Sequence, residues 1–128
     1  MKTLALVLSL LAQEKVTVYI AGSQPPEKAA IHVLSMDLAT GAMTPLSQAT
    51  GLQNPNFLAF HPNGKFLYAV GGGDLVGAFS IDAATGALTF LNAESSKGSG
   101  PCHLVTDKTG KNVLVANYGG GSCEAIPI

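Results

Sequence analysis

Short hydrophobic segments separated by turn residues run along the chain, and their periodicity is that of β-strands. A continuous apolar segment such as FLYAV at residues 66–70 predicts a strand that is buried on both faces. Other segments alternate apolar and polar residues, as strands with one side toward solvent do. No segment shows the period of about 3.6 residues that marks an amphipathic helix. The pattern therefore predicts an all-β fold.

The hydrophobic segments belong to an internal repeat of 45 to 47 residues. The sequence MDLATGAMT at residues 36–44 reappears as IDAATGALT at residues 81–89, 45 positions further on. LYAVG at residues 67–71 returns as VLVAN at residues 113–117, after 46 positions. Units of this length with four short strands are typical of β-propeller blades. We therefore expect a β-propeller of four-stranded antiparallel blades.

About two and a half blades are present in the 128 residues. The predicted strands of the complete blade cover residues 57–61, 65–71, 75–81 and 87–93. Those of the preceding blade, which lacks its inner strand, cover 16–22, 30–36 and 43–47; those of the following blade cover 102–106, 111–118 and 122–128. We expect residues 13–128 to be the N-terminal part of a larger propeller, whose missing C-terminal blades complete the ring.

The first 12 residues, MKTLALVLSLLA, differ from the repeat. One lysine before a short apolar run is typical of a secretory signal peptide, here with cleavage after Ala12. The alternative is a buried first strand or short helix of the fold. The run is too short for a membrane span, which needs about 20 apolar residues. A cleaved signal predicts a periplasmic or secreted protein, and retained residues predict a cytoplasmic one.

Composition and charge exclude several kinds of partner. Only 12% of the residues are charged, the net charge is −1, and all seven basic residues are lysines. This balance excludes a basic groove for nucleic acid, and the absence of arginine excludes a bidentate clamp for phosphate. No Cys-x-x-Cys pair or Cys/His cluster indicates a zinc site.

The cysteines, Cys102 and Cys123, fall on predicted strands that have a third strand between them. Two strand spacings amount to about 9.6 Å, whereas disulfide-linked Cα atoms lie within about 7 Å of each other. The sequence therefore predicts two free thiols.

Three side chains are candidate pocket-lining residues: His103, Asn117 and Tyr118. His103 begins an inner strand near the channel mouth, where it serves either as a pocket wall or proton donor, or as a histidine hydrogen-bonded between blades. Asn117 and Tyr118 end a buried strand, where they either orient a ligand or cap the turn and pack inside. These alternatives remain open at this point.

Other polar residues have predicted turn roles. Asp37, Asp82 and Asp107 sit at matched turn positions, which favours local turn chemistry over catalysis. His61 lies in a Pro-Asn-Gly turn and is expected to be exposed and inert.

The sequences GPCHL at residues 100–104 and LVANYGGGS at residues 114–122 resemble the lactonase family of seven-bladed propellers. That family includes bacterial 6-phosphogluconolactonases and fungal muconate-cyclizing enzymes, and the resemblance covers residues 16–128. It implies a hydrolase of the pentose phosphate pathway that opens 6-phosphogluconolactone by general-base-assisted attack of water, without a metal or organic cofactor.

The resemblance also implies that the family's functional His, Arg and Glu residues lie in later blades. It therefore assigns no catalytic residue to this chain, which we expect to be inactive by itself. One alternative is a non-catalytic exported propeller that acts as a binding scaffold, since a fold does not determine a function. Another is a lactonase for a different sugar lactone or for a muconolactone.

Overall fold

The computed structural model describes residues 14–22 and 28–128, so the predicted signal peptide lies outside the described residues. Within those ranges the chain forms ten β-strands in three antiparallel sheets. The strands are β1 (Lys15–Gly22), β2 (Ala30–Asp37), β3 (Met43–Ala49), β4 (Leu58–Phe60), β5 (Phe66–Val70), β6 (Leu75–Ile81), β7 (Leu88–Ser95), β8 (Pro101–Thr106), β9 (Asn112–Asn117) and β10 (Ser122–Pro127).

Each sheet is one blade, and the predicted grouping of strands is confirmed. The first blade is β1-β2-β3, the second is β4-β5-β6-β7, and the third is β8-β9-β10. The strand ends differ from the prediction by at most two residues. Strand β7, for example, ends at Ser95, two residues beyond the predicted end. Ser95 pairs with Leu75 of β6, after a register shift between Ala78 and Phe79.

Strand β5 is buried on both faces, as its apolar sequence predicts. Side chains alternate between the two faces of a strand. Leu67 and Ala69 accordingly join a cluster shared with the first blade, whereas Tyr68 and Val70 join a cluster shared with the third blade. β5 thus contributes core residues to both interfaces between neighbouring blades, which we call the first and the second joint.

The two apolar clusters are the interfaces between neighbouring blades. Buried residues of the first joint are Ile31, Ala49, Leu52, Leu67, Ala69 and Phe79. Those of the second joint are Tyr68, Val70, Val76, Leu104, Val113 and Val115. Each cluster draws on two sheets, so the hydrophobic effect holds blade against blade as well as strand against strand.

The repeated aspartates shape turns, as predicted. A carboxylate oxygen of Asp37 and of Asp82 accepts the N–H groups of the residues two and three positions further on, at 2.8–3.0 Å. Both turns end on a glycine in the left-handed region, Gly41 and Gly86, each with φ of 73°. The hydrogen bonds lower the pKa of both carboxyl groups.

His61 was predicted to be exposed and inert, and the predicted exposure was wrong. Its Nδ1 accepts the N–H of Asn63 at 3.1 Å, so Nε2 carries the proton and donates to the carbonyl oxygen of Gly110 at 3.0 Å. The ring is half-buried, with its edge against Phe66. The imidazole therefore joins the β4–β5 turn to the β8–β9 turn across the second joint.

The two cysteines are free thiols, as predicted. Cys102 lies on β8 and Cys123 on β10, with β9 between them, and both are free and exposed.

We predict that Leu67→Ala will lower the free energy of unfolding by about 2–5 kcal/mol, because it opens a cavity in the first joint. Leu67 is fully buried, whereas Leu46 on β3 is 52% exposed. Leu46→Ala is the matched control and should change the stability by less than about 0.5 kcal/mol. Urea unfolding followed by circular dichroism measures both; equal losses would contradict the assignment of the core.

We predict that Asp107 stabilises the fold above about pH 4 and loses this effect as the pH falls to about 2. Hydrogen bonds from the Asn112 side chain, the Lys111 N–H and the Thr109 hydroxyl lower its pKa to about 2. Because the folded pKa lies below the unfolded one, the contribution requires the ionised form. Asp107→Ala should therefore be less stable than the wild type at pH 6, with a difference that shrinks toward pH 2.

Thermal unfolding at a series of pH values measures this difference. Asp107→Asn keeps one acceptor oxygen without the charge, so it should lose the same pH dependence with a smaller loss of stability. A difference that stays constant from pH 6 to pH 2 would refute the role of the carboxylate.

Candidate functional site

The linkers between blades and the hairpin loops within them meet at one end of the sheets. In the second blade Leu58, at the start of β4, pairs with Ala69 near the end of β5. In the third blade Pro101 pairs with Asn117 in the same way. We call this end the linker edge; it comprises residues 50–57, 71–74, 96–103 and 118–121, so it includes the first residues of β8.

The inner strands β4 and β8 lie side by side. The hydroxyl group of Thr106 on β8 donates to the carbonyl oxygen of Phe60 on β4 at 2.8 Å. Residues that begin these strands are therefore neighbours at the linker edge, although they are 46 positions apart in the sequence.

His103 is exposed at the start of β8, and its ring lies against the ring of Phe57 in the second blade. The ring centroids are 4.2 Å apart and the planes are tilted by 44°. Among the described residues the contact of His103 between blades is therefore the aromatic one with Phe57.

Among the described residues Tyr118 is 86% exposed. Its backbone N–H donates to the carbonyl oxygen of Gly100 at 2.9 Å, so the loop is attached to the linker while the phenol extends into solvent. His103 and Tyr118 thus share the linker edge as accessible groups that can exchange a proton or donate a hydrogen bond.

Asn117 differs from these two residues because it is only 2% exposed. Its Nδ2 donates to the carbonyl oxygen of Ser96 at 3.1 Å and to the hydroxyl of Ser122 at 3.3 Å. The structure thus places Asn117 beneath the linker that precedes β8. Of the three sequence candidates, only His103 and Tyr118 reach the surface.

In each joint a larger side chain fills the space beside a glycine. The repeat places the glycine and the larger residue at exchanged positions in the two joints. In the first joint Leu52 is 4% exposed, and a Cβ added at Gly71 would lie 2.7 Å from its side chain. In the second joint Gly98 and Asn117 occupy the matching positions, and a Cβ at Gly98 would collide with the Asn117 amide. The first joint is closed by an apolar linker residue and the second by a polar strand residue.

This difference between the two joints was not predicted from the sequence, although an alignment of the repeats shows it. Alignment at an offset of 46 pairs Leu52 with Gly98 and Gly71 with Asn117. Reading the two pairs together would have indicated a compensating change between linker and strand.

An ion pair closes the outer part of the second joint. Nζ of Lys97 lies 3.0 Å from Oε1 of Glu124, and the lysine side chain is 72% exposed. An exposed pair of this kind contributes about 0–1 kcal/mol. Lys97 also has a left-handed backbone, with φ of 51°, whereas Gly51 at the matching position has φ of 109°.

His103 also lines a depression of about 440 Å³ on the far face of the third blade, together with Val105, Leu114, Cys123 and Ala125. The corresponding face of the second blade, with Tyr68 and Val70, is covered by the third blade. Val105, Leu114 and Ala125 therefore form the kind of apolar face that a further blade covers, whereas the His103 ring also reaches Phe57 of the second blade.

Across residues 14–22 and 28–128, no three His, Cys, Asp or Glu side chains are grouped as metal ligands. The same residues contain no helix of the length and apolarity needed to cross a membrane.

Antiparallel blades whose innermost strands lie side by side define a β-propeller. The chain belongs to the lactonase family of seven-bladed β-propellers, because the model of that family matches residues 17–128. The match includes the whole linker edge. It confirms the resemblance carried by the GPCHL and LVANYGGGS sequences.

Named relatives are similar over most of this chain but are much longer. The 6-phosphogluconolactonase of Formosa agariphila is 37% identical over 93 residues, which are 69% of this chain and 26% of that protein. The 6-phosphogluconolactonase of Bacillus subtilis is 34% identical over 101 residues, which are 77% of this chain and 29% of that protein. The chain thus spans little more than a quarter of the length of these relatives.

Two solved structures match about nine-tenths of this chain. The crystal structure of a candidate 6-phosphogluconolactonase from Bacteroides fragilis matches with a TM-score of 0.79 at 34% identity, over 89% of this chain and 32% of that chain. A similar candidate from Bacteroides uniformis matches with a TM-score of 0.80 at 30% identity, over 91% and 34%. The predicted fold class is confirmed.

We predict that Gly98→Leu and Asn117→Gly each destabilise the second joint and that the double variant recovers much of the loss. Gly98→Leu alone places its side chain against the Asn117 amide, and overpacking costs about 1–3 kcal/mol. Asn117→Gly alone removes the hydrogen bonds to Ser96 and Ser122. The double variant recreates the Leu52–Gly71 arrangement of the first joint.

A double-mutant cycle on the free energy of unfolding measures the coupling, which should exceed about 1 kcal/mol. Leu52→Gly with Gly71→Asn is the reciprocal control in the first joint. Additive losses in both cycles would show that the paired positions act independently.

Proposed function

We propose that this chain is the N-terminal part of a sugar-lactone hydrolase of the 6-phosphogluconolactonase type. The observation that carries the proposal is the 37% and 34% identity to two proteins of that name. The family match over residues 17–128 supports it, since that range includes every residue of the linker edge.

Hydrolysis of a lactone requires a water activated by a general base and a hydrogen-bond donor for the developing oxyanion. A phosphorylated substrate also requires cationic groups. This chain contributes neither arginine nor, at the linker edge, a lysine free of an acidic partner among the described residues. The phosphate-binding and catalytic groups are therefore expected from other blades.

His103 and Tyr118 are the residues of this chain that we propose to line the substrate pocket. Both are exposed at the linker edge, where an imidazole can transfer a proton and a phenol can donate a hydrogen bond. Asn117 is proposed as a positioning residue, because its amide holds the linker that leads into β8 and His103.

The test is hydrolysis of 6-phosphogluconolactone by the whole propeller that contains this chain, followed as release of 6-phosphogluconate. We predict hydrolysis, with a preference for the phosphorylated lactone over gluconolactone. His103→Phe should lower kcat/KM at least about tenfold, because it removes the imidazole nitrogens. The substitution keeps an aromatic ring against Phe57. Phenylalanine is also the residue that the second blade has at the matching position, which is Phe57 itself.

His32→Phe on β2 is the matched control and should leave kcat/KM unchanged. Absence of hydrolysis by the wild type would refute the proposed enzyme and favour a non-catalytic binding scaffold. Hydrolysis that His103→Phe leaves unchanged would refute only the role of His103.

A further inference from the structure

Two side-chain oxygens in the second joint are buried and without a hydrogen-bond partner among the described residues. They are Oγ of Ser96 and Oδ1 of Asn117. Ser96 is fully buried and Asn117 is 2% exposed. Buried polar atoms are almost always hydrogen-bonded to protein or to ordered water, so this pair requires an explanation.

The orientation of the Asn117 amide is fixed by its neighbours. Its Nδ2 lies 3.1 Å from the carbonyl oxygen of Ser96, which can only accept a hydrogen bond. Exchanging the amide oxygen and nitrogen would place two acceptors against each other. Oδ1 therefore faces away from this contact and needs a donor from elsewhere.

The backbone of Ser96 is already engaged. Its N–H donates to the carbonyl oxygen of Asp74 at 2.6 Å, and its own carbonyl accepts from Asn117. The remaining group is the hydroxyl, which has one proton to donate and lone pairs to accept. Ser96 and Asn117 thus offer one donor and two acceptors inside the joint.

The first joint shows that the propeller does not need polar atoms here. Thr50, at the position that matches Ser96, is exposed, and the apolar Leu52 side chain fills the space beside Gly71. Addition of further blades cannot expose Ser96 or Asn117, because it only covers more surface. The buried polar pair is therefore a feature of the second joint itself.

We propose that the second joint binds a single water molecule, which donates a hydrogen bond to Oδ1 of Asn117 and accepts one from the Ser96 hydroxyl. Water matches a site that offers one neutral acceptor and one neutral hydroxyl. The bound water ties residues 96–100 to the third blade. It is independent of the proposed enzymatic function.

The test is a crystal structure of the protein at a resolution that shows ordered water. The expected result is a density peak within about 2.6–3.2 Å of both Ser96 Oγ and Asn117 Oδ1. A map in which the Ser96 hydroxyl donates directly to Asn117 Oδ1, with no peak between them, would overturn the proposal. So would a peak that contacts only one of the two oxygens.

A solution measurement tests the same site without a crystal. A long-lived water should give a nuclear Overhauser effect to the side-chain NH2 group of Asn117 in the wild type. In Ser96→Ala this effect should weaken or disappear while the chemical shifts of residues in the first joint stay unchanged. An effect of equal strength in both proteins, or none in the wild type, would contradict binding by the pair.

Discussion

The second blade depends on a central strand that has no solvent-facing side. In β5 the residues alternate between two cores, with Leu67 and Ala69 in the first joint and Tyr68 and Val70 in the second. A blade with such a strand cannot bury its apolar surface by itself, because a sheet has two faces and each needs a neighbour. Stability therefore accumulates at the joints between blades.

This constraint leaves the linkers and loops comparatively free to vary. The two joints share strand order and turn geometry, yet one is closed by Leu52 over Gly71 and the other by Asn117 under Gly98. Binding residues in proteins are found disproportionately on loops that a rigid scaffold positions. The linker edge fits this rule, since the exposed groups His103 and Tyr118 lie there while the residues beneath them are buried.

The repeat allowed most of the fold to be predicted, because strand alternation and Asp-Gly turns are local properties. The candidate site was only partly predictable. The structure places Asn117 inside, Tyr118 outside and His103 against Phe57, and a single strand pattern does not distinguish these outcomes. His61 was misjudged for the same reason: its partner, Gly110, belongs to a turn of the next blade.

The sequence by itself determined the all-β class, the four-stranded repeat, the double burial of β5, the aspartate turns and the separation of Cys102 from Cys123. Each of these depends on residues close in sequence or on simple strand geometry. Only the tertiary structure decided which side chains cross a joint, as His61 does, and which are covered by a linker, as Asn117 is. Such contacts join residues about one blade apart, and their formation depends on how two sheets pack rather than on the pattern within either.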